Sequence, residues 1–173
     1  MAARAASHTG DVLVIATDAT VRSHAYAAAC QAQGLRALEK ACPLLVPLVE
    51  EGWTRHPVTA QVIRIYLDEL LADAAVQNLN PDTLVLGCTH YPLLRELIEQ
   101  AVPSGMRVID SAESAADAAV SMINGRATSP AAAPDADTLI RCFATDSVEK
   151  FERLGSRFLD RPVGDVELVD LGG

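Results

Sequence analysis

The sequence predicts an α/β fold, a three-layer arrangement in which a parallel sheet is flanked by helices. Short apolar runs of strand length recur along the chain: Asp11–Ala16 (DVLVIA), Leu84–Leu86 and Arg107–Ile109. Stretches of helical character separate them, and strands alternating with helices build parallel sheets covered on both faces. Polar residues follow the ends of the runs: Thr17, Asp18 and Thr20; Cys88, Thr89 and His90; Asp110 and Ser111. Open sheets of this kind bind ligands outside the carboxyl ends of their strands.

Each element has a local cause. Val21 to about Gln33 reads as a helix ended by Gly34, and Leu35–Leu38 as a second strand. Cys42-Pro43 leads into a short helix, Leu44–Glu51, closed by Gly52. Between Val58 and Val76 the apolar residues Val58, Val62, Ile65, Tyr66, Leu70 and Ala74 recur at helical spacing, which predicts the longest amphipathic helix. Asn80-Pro81 breaks it before the Leu84–Leu86 strand, which Gly87 ends. Pro92 suits the first positions of a helix running from Leu93 to Ala101. Asp110-Ser111 opens an Ala-rich helix to about Ile123, where Asp110 fits an N-cap as well as a site residue. Thr20 likewise fits a cap for the helix from Val21. Residues 127–137 (ATSPAAAPDAD) read as an exposed connector. Thr138–Phe143 is a further strand, Val148–Phe158 a helix, and Val166–Leu171 a last extended segment.

Composition excludes several function classes. The 173 residues are 50% hydrophobic and 21% charged, enough apolar material for a real core. A net charge of −9 and 4% aromatics argue against a nucleic-acid interface, which needs clustered cations or stacking platforms. No run approaches the ~18 apolar residues of a membrane span. The cysteines Cys30, Cys42, Cys88 and Cys142 contain no CxxC pair, and the opening MAARAASH has no apolar core suited to export. A reducing cytoplasm without disulfides is the expectation. No metal is expected: Cys88 and His90 lack a second ligand pair, and His8, His24 and His56 fall in a tail, a helix and a loop. Phosphate-loop and dinucleotide fingerprints are absent.

Chemistry concentrates in Asp82–Leu94 (DTLVLGCTHYPLL). Cys88 should lie at the carboxyl end of a strand beside a helix N-terminus, where unpaired N–H groups favour a thiolate. A cysteine filling a core is the plain alternative, but Cys88, Thr89, His90 and Tyr91 crowd four polar groups into one strand-to-helix turn. A Cys/His hydrolase is weaker, because no glycine-flanked nucleophile elbow or orienting third group stands out.

The segment GCTHYP, residues 87–92, resembles the second catalytic motif of bacterial glutamate racemases. Three further segments agree in order: ATDATVRSHAY from Ala16, ACPLLVPLVEEG from Ala41, and VIDSAE from Val108 with FATD from Phe143. The resemblance implies a cofactor-independent racemase that interconverts L- and D-glutamate for peptidoglycan synthesis by proton transfer between two cysteines. It implies that Cys88 works on the L-glutamate face and that His90 assists it and helps hold the substrate. Thr89 and Thr20 would bind the substrate, and Glu50 would be the acid near the active site. Glu51 is adjacent and could exchange roles with Glu50; read without the family, Glu50 is a solvated helix end. His90 stands where related aspartate racemases carry Glu, which favours glutamate.

The family's N-terminal segments, which carry an Asp-Ser pair, a Tyr-Gly pair and the first catalytic cysteine in an Asn-Thr context, have no match in these residues. Cys30 and Cys42 lie in different contexts and are not replacements. The chain thus resembles the C-terminal two-thirds of such an enzyme, with racemization expected to be impaired in isolation. Residues 1–10 are expected as a tail and 11–109 as a complete α/β domain. Residues 110–173 are the segment that in the family returns to complete the first domain. Strands without their usual partners, at Leu139-Ile140 and Val166–Leu171, predict a homo-oligomer or a rearranged tail. The alternative function is a non-catalytic racemase-fold module that binds a protein partner such as DNA gyrase.

Overall fold

A computed structural model describes residues 2–124 and 141–172, and the chain divides into two compact units, Met1–Met122 and Ile123–Gly173. In the first unit a four-stranded parallel sheet has the order β2-β1-β3-β4, with β1 at Asp11–Ala16, β2 at Arg36–Ala41, β3 at Thr83–Gly87 and β4 at Arg107–Asp110. Every residue of β1 and β3 is buried, as strands covered on both faces require.

Alternate residues of these strands feed two cores. Leu13, Ile15, Leu84 and Leu86 pack with helices α4 (Leu45–Glu50), α5 (Pro57–Val76) and α6 (Arg95–Ala101) through Leu45, Val49, Ile63, Leu67, Leu70 and Ile98. Val12, Val14 and Val85 face the other way, against Cys30 of helix α3 (Ala25–Gln31), Leu35 and Ala3 of a short helix α1 (Ala2–Ala6). This is the three-layer architecture the alternation predicts.

Several boundaries differ from the sequence reading for identifiable reasons. Residues 2–6, expected within a tail, form α1, and the carboxylate of Asp82 anchors the segment after it. Asp82 accepts from the Ser7 hydroxyl at 2.7 Å and from the His8 and Thr9 N–H groups at 2.7 and 3.0 Å. The helix expected from Val21 to Gln33 is two helices, α2 (Asp18–Ser23) and α3, joined at His24 in the left-handed region (φ 52°). The Ser23 hydroxyl donates to the Thr20 carbonyl at 2.6 Å and accepts from the Ala25 N–H at 3.3 Å, so local side-chain bonds replace continued helix. Strand β2 runs on to Ala41 despite Glu39 and Lys40, because pairing with β1 holds the register from Asp11 opposite Arg36 to Ala16 opposite Ala41. His56 lies in a loop, as expected, and there serves as the N-cap of α5, its Nδ1 accepting from the Val58 N–H at 3.1 Å.

After Gly87 the chain makes a turn and then a 3-10 helix at Tyr91–Leu94 before α6 begins at Arg95. The expected α-helix end beside Cys88 is therefore replaced by this tighter turn, with Pro92 in its first positions. Helix α7 spans Ser111–Asn124.

In the second unit, β5 (Cys142–Ala144) and β6 (Val166–Leu168) form a two-stranded parallel sheet, and α8 covers Val148–Leu159. Ser147 caps α8 by accepting the Lys150 N–H at 3.2 Å. The expected strand at Thr138–Phe143 thus begins at Cys142 among the described residues; 138–140 and the connector at 127–137 lie outside them.

Candidate active site

Sheet register places four strand ends on one rim: Ala16 lies opposite Ala41 and Gly87, and Leu86 opposite Asp110. Thr17, Cys42, Cys88 and Ser111 each follow one of these ends. Gly87 is tightly enclosed: a Cβ there would meet the Ala16 Cβ and Tyr26 Cε2 at 3.0 Å and the Ile15 carbonyl oxygen at 3.1 Å, so these neighbours would have to give by a few tenths of an ångström. Close packing at this glycine sets where the Cys88 turn leaves the sheet.

Cys88 is half-buried, and its Sγ lies 3.8 Å from Nδ1 of His90. The other ring nitrogen of His90, Nε2, lies 3.6 Å from Oε1 of Glu50, with the two side chains 24% and 29% exposed. Carboxylate, imidazole and thiol thus stand in a row. Both separations are loose, as is common before a substrate tightens a site. Glu50 is the last residue of α4 and Glu51 is its exposed C-cap, so of the two carboxylates Glu50 is the one beside His90.

Thr89 is exposed next to Cys88. Thr20 sits in the first turn of α2 with its hydroxyl oxygen 2.8 Å from that of Thr17. Thr17, not Thr20, is the cap of this helix, accepting the Thr20 N–H at 3.4 Å; the helix starts earlier than its apolar pattern because Thr17 and Asp18 supply the N-terminal chemistry. Asp110 is committed to structure. Its Oδ1 accepts from the Ala112 N–H at 2.9 Å and its Oδ2 from Arg95 Nη1 at 2.8 Å.

The other cysteines of the first unit are placed against chemistry. Burial pushes the Cys42 thiol up to about 12, only partly offset by Lys40, and burial likewise raises Cys30. Each lies in one of the two cores, on opposite faces of the sheet. Burial also raises the phenols of Tyr26 and Tyr91, reinforced by Cys88 at Tyr26 and by Cys42 and then Cys88 at Tyr91. Sequence reasoning assigned no role to Tyr26, gave Gly87 only the end of a strand, and placed Thr17 only among the polar residues at the strand ends. The run GCTHY contained the signal for Tyr91, but only the folded chain shows what its ring touches. Among the described residues no cluster of His, Cys, Asp and Glu could hold a metal ion.

The model of one protein family, Asp/Glu/Hydantoin racemase, matches residues 1–119. The chain belongs to this racemase family. A glutamate racemase of Koribacter versatilis is 49% identical to this racemase-family chain over 191 aligned positions, covering 99% of the chain and 65% of the relative. Among solved structures, a glutamate racemase isoform from Bacillus anthracis superposes with a TM-score of 0.80 at 30% identity, covering 98% of this chain and 61% of its own. The glutamate racemase of Francisella tularensis, solved with D-glutamate, superposes with a TM-score of 0.76 at 28% identity, covering 95% and 59%. The racemase-family chain therefore spans between 59% and 65% of the length of these relatives.

Proposed function

We propose that this chain carries the Cys88 face of a glutamate racemase site, taking and returning the α-proton of L-glutamate without a cofactor. The observation that carries the reading is the Glu50–His90–Cys88 row at the carboxyl rim of the sheet. The α-proton of an amino acid is weakly acidic, so its removal needs a positioned base. With Glu50 accepting the Nε2 proton of His90, Nδ1 is left as an acceptor facing the thiol. Transfer of the thiol proton to Nδ1 leaves a thiolate beside an imidazolium that Glu50 stabilises. The thiolate then takes the proton from Cα, forming a carbanion and a thiol, with no covalent intermediate. Thr89 and the Thr17–Thr20 hydroxyl pair supply polar contacts for the substrate carboxylates.

Inversion needs a second acid on the opposite face of Cα. Cys30 and Cys42 are buried in the two cores and are unsuited to that role. The chain by itself therefore exchanges the α-proton of L-glutamate and inverts the centre poorly. The D-glutamate bound to the Francisella relative and the glutamate racemase names of the relatives support glutamate as the substrate. A place in peptidoglycan synthesis, in the cytoplasm, follows from the same reading.

The test is proton NMR of L-glutamate in deuterated water, with circular dichroism of the same solution. The expected result is slow loss of the α-proton signal with the optical signal kept, and loss of exchange by a factor of at least ~100 in Cys88→Ser. Exchange that survives Cys88→Ser would sink the assignment of Cys88. Rapid inversion by the isolated chain would show that another acid has been recruited. No exchange at all would favour a binding module that has kept the fold.

A further inference from the structure

We infer that Tyr91 is a positioning residue of this site: its hydroxyl ties the Cys88 turn to the start of α4 and so sets the approach of Glu50 to His90. The inference rests on the proposed Glu50–His90–Cys88 row. Tyr91 is 0% exposed, the bulkiest of the fully buried side chains. Its backbone and side chain act on different elements. The Tyr91 N–H donates to the Cys88 carbonyl at 3.2 Å and closes the turn that presents Cys88 and His90. The Tyr91 hydroxyl crosses to the end of β2 and donates to the Cys42 carbonyl at 3.1 Å. That same carbonyl accepts the Leu45 N–H at 3.2 Å, the first residue of α4.

One carbonyl thus joins the phenol to the opening turn of the helix whose last residue is Glu50. Helix α4 is a single short span, Leu45–Glu50, so a shift at its start moves Glu50 by a similar amount. The burial that raises the Tyr91 phenol keeps it protonated, and a neutral hydroxyl is the state that donates. The row of thiol, imidazole and carboxylate is divided between the Cys88 turn and the end of α4, and this hydroxyl bonds the turn to the carbonyl at the start of that helix.

The test compares alkylation of Cys88 by iodoacetamide, followed at its own peptide by mass spectrometry, in the wild type, Glu50→Gln, Tyr91→Phe and the double variant. Glu50→Gln should slow alkylation by roughly threefold or more in the wild type, the scale of coupling between contacting residues. In Tyr91→Phe the same Glu50→Gln change should have no further effect, because the carboxylate has already drawn away from His90. Tyr91→Met, a flexible filler without a hydroxyl, is run beside it in case the phenylalanine variant does not fold. Cys42→Ala loosens the same buried layer while keeping the carbonyl, and there the Glu50→Gln effect should persist. A Glu50→Gln effect of full size in both Tyr91 variants overturns the strut alone. A Glu50→Gln effect lost equally in Cys42→Ala shows general loosening and also overturns it. No effect of Glu50→Gln in the wild type overturns the row of three groups, and the strut with it.

Discussion

Four donors converge on the carboxylate of Asp82: the Ser7 and Thr83 hydroxyls and the His8 and Thr9 N–H groups. Burial alone would raise its pKa, but these bonds favour the charged form and hold Asp82 well below the usual carboxylate range. Asp11 repeats the pattern, with Arg36 bidentate at 2.6 Å on both oxygens and the Asn80 N–H at 2.7 Å outweighing its burial. Groups depressed in the folded state contribute stability that is present above their unfolded value, ~3.9, and is lost as pH falls through the lower folded values. Asp82→Asn should cost about 1–3 kcal/mol at pH 7, read as a lower midpoint in urea. The gap between variant and wild type should begin to narrow below pH ~4, where the carboxylate of the unfolded chain takes up its proton, and should close only as pH falls through the lower native value. A gap that stays constant down to pH ~2 would mean the carboxylate charge plays no part. Cys88 shows the opposite use of burial: half-exposed, it remains available, while Cys42 in the core does not.

At the scale of elements, the turn after β3 is the decisive piece. Gly87 lies against Ala16, Tyr26 and the Ile15 carbonyl, and two of these contacts belong to β1 itself. Gly87→Ala must therefore push β3 away from β1 or displace the Tyr26 ring. The expected cost is about 1–3 kcal/mol, as for other overpacked sites, together with a changed rate of Cys88 alkylation. A variant with wild-type stability and thiol reactivity would show that the contact yields freely. The candidate site is legible in the sequence where its residues are crowded together: Cys88, Thr89 and His90 are adjacent, and Glu50 lies in the segment ACPLLVPLVEEG. Thr20 as a helix cap was misread, since its partner Thr17 starts the helix earlier. His24 was misread as helical, because side-chain bonds from Ser23 compete with the helix and leave no mark on apolar periodicity.

At the scale of the molecule, the two units differ in how much they bury. The first has two cores sharing one sheet. The second has a two-stranded parallel sheet and a helix with no fully buried residue, and it leaves Phe143 48% and Leu168 61% exposed. Sheets this small are marginal by themselves, and unpaired strand edges invite further strands. The homo-oligomer expected from the sequence would form here. Light scattering should show a species larger than the monomer that Leu168→Lys shifts towards monomer, and hydrogen exchange should be faster in β5 and β6 than in β1 and β3. A wild-type monomer with slowly exchanging β5 and β6 would reverse this expectation.

The order of strands and helices, the parallel sheet and the chemical character of the Cys88 turn were all written locally. Periodicity, glycine and proline positions and the run of polar groups are properties of neighbours along the chain. Tertiary structure alone decided that β2 extends to Ala41, that Glu50 rather than Glu51 faces His90, and that the Tyr91 hydroxyl reaches Cys42. Those outcomes depend on groups brought together from distant segments, and their separations are set by packing of whole elements, which no local pattern encodes.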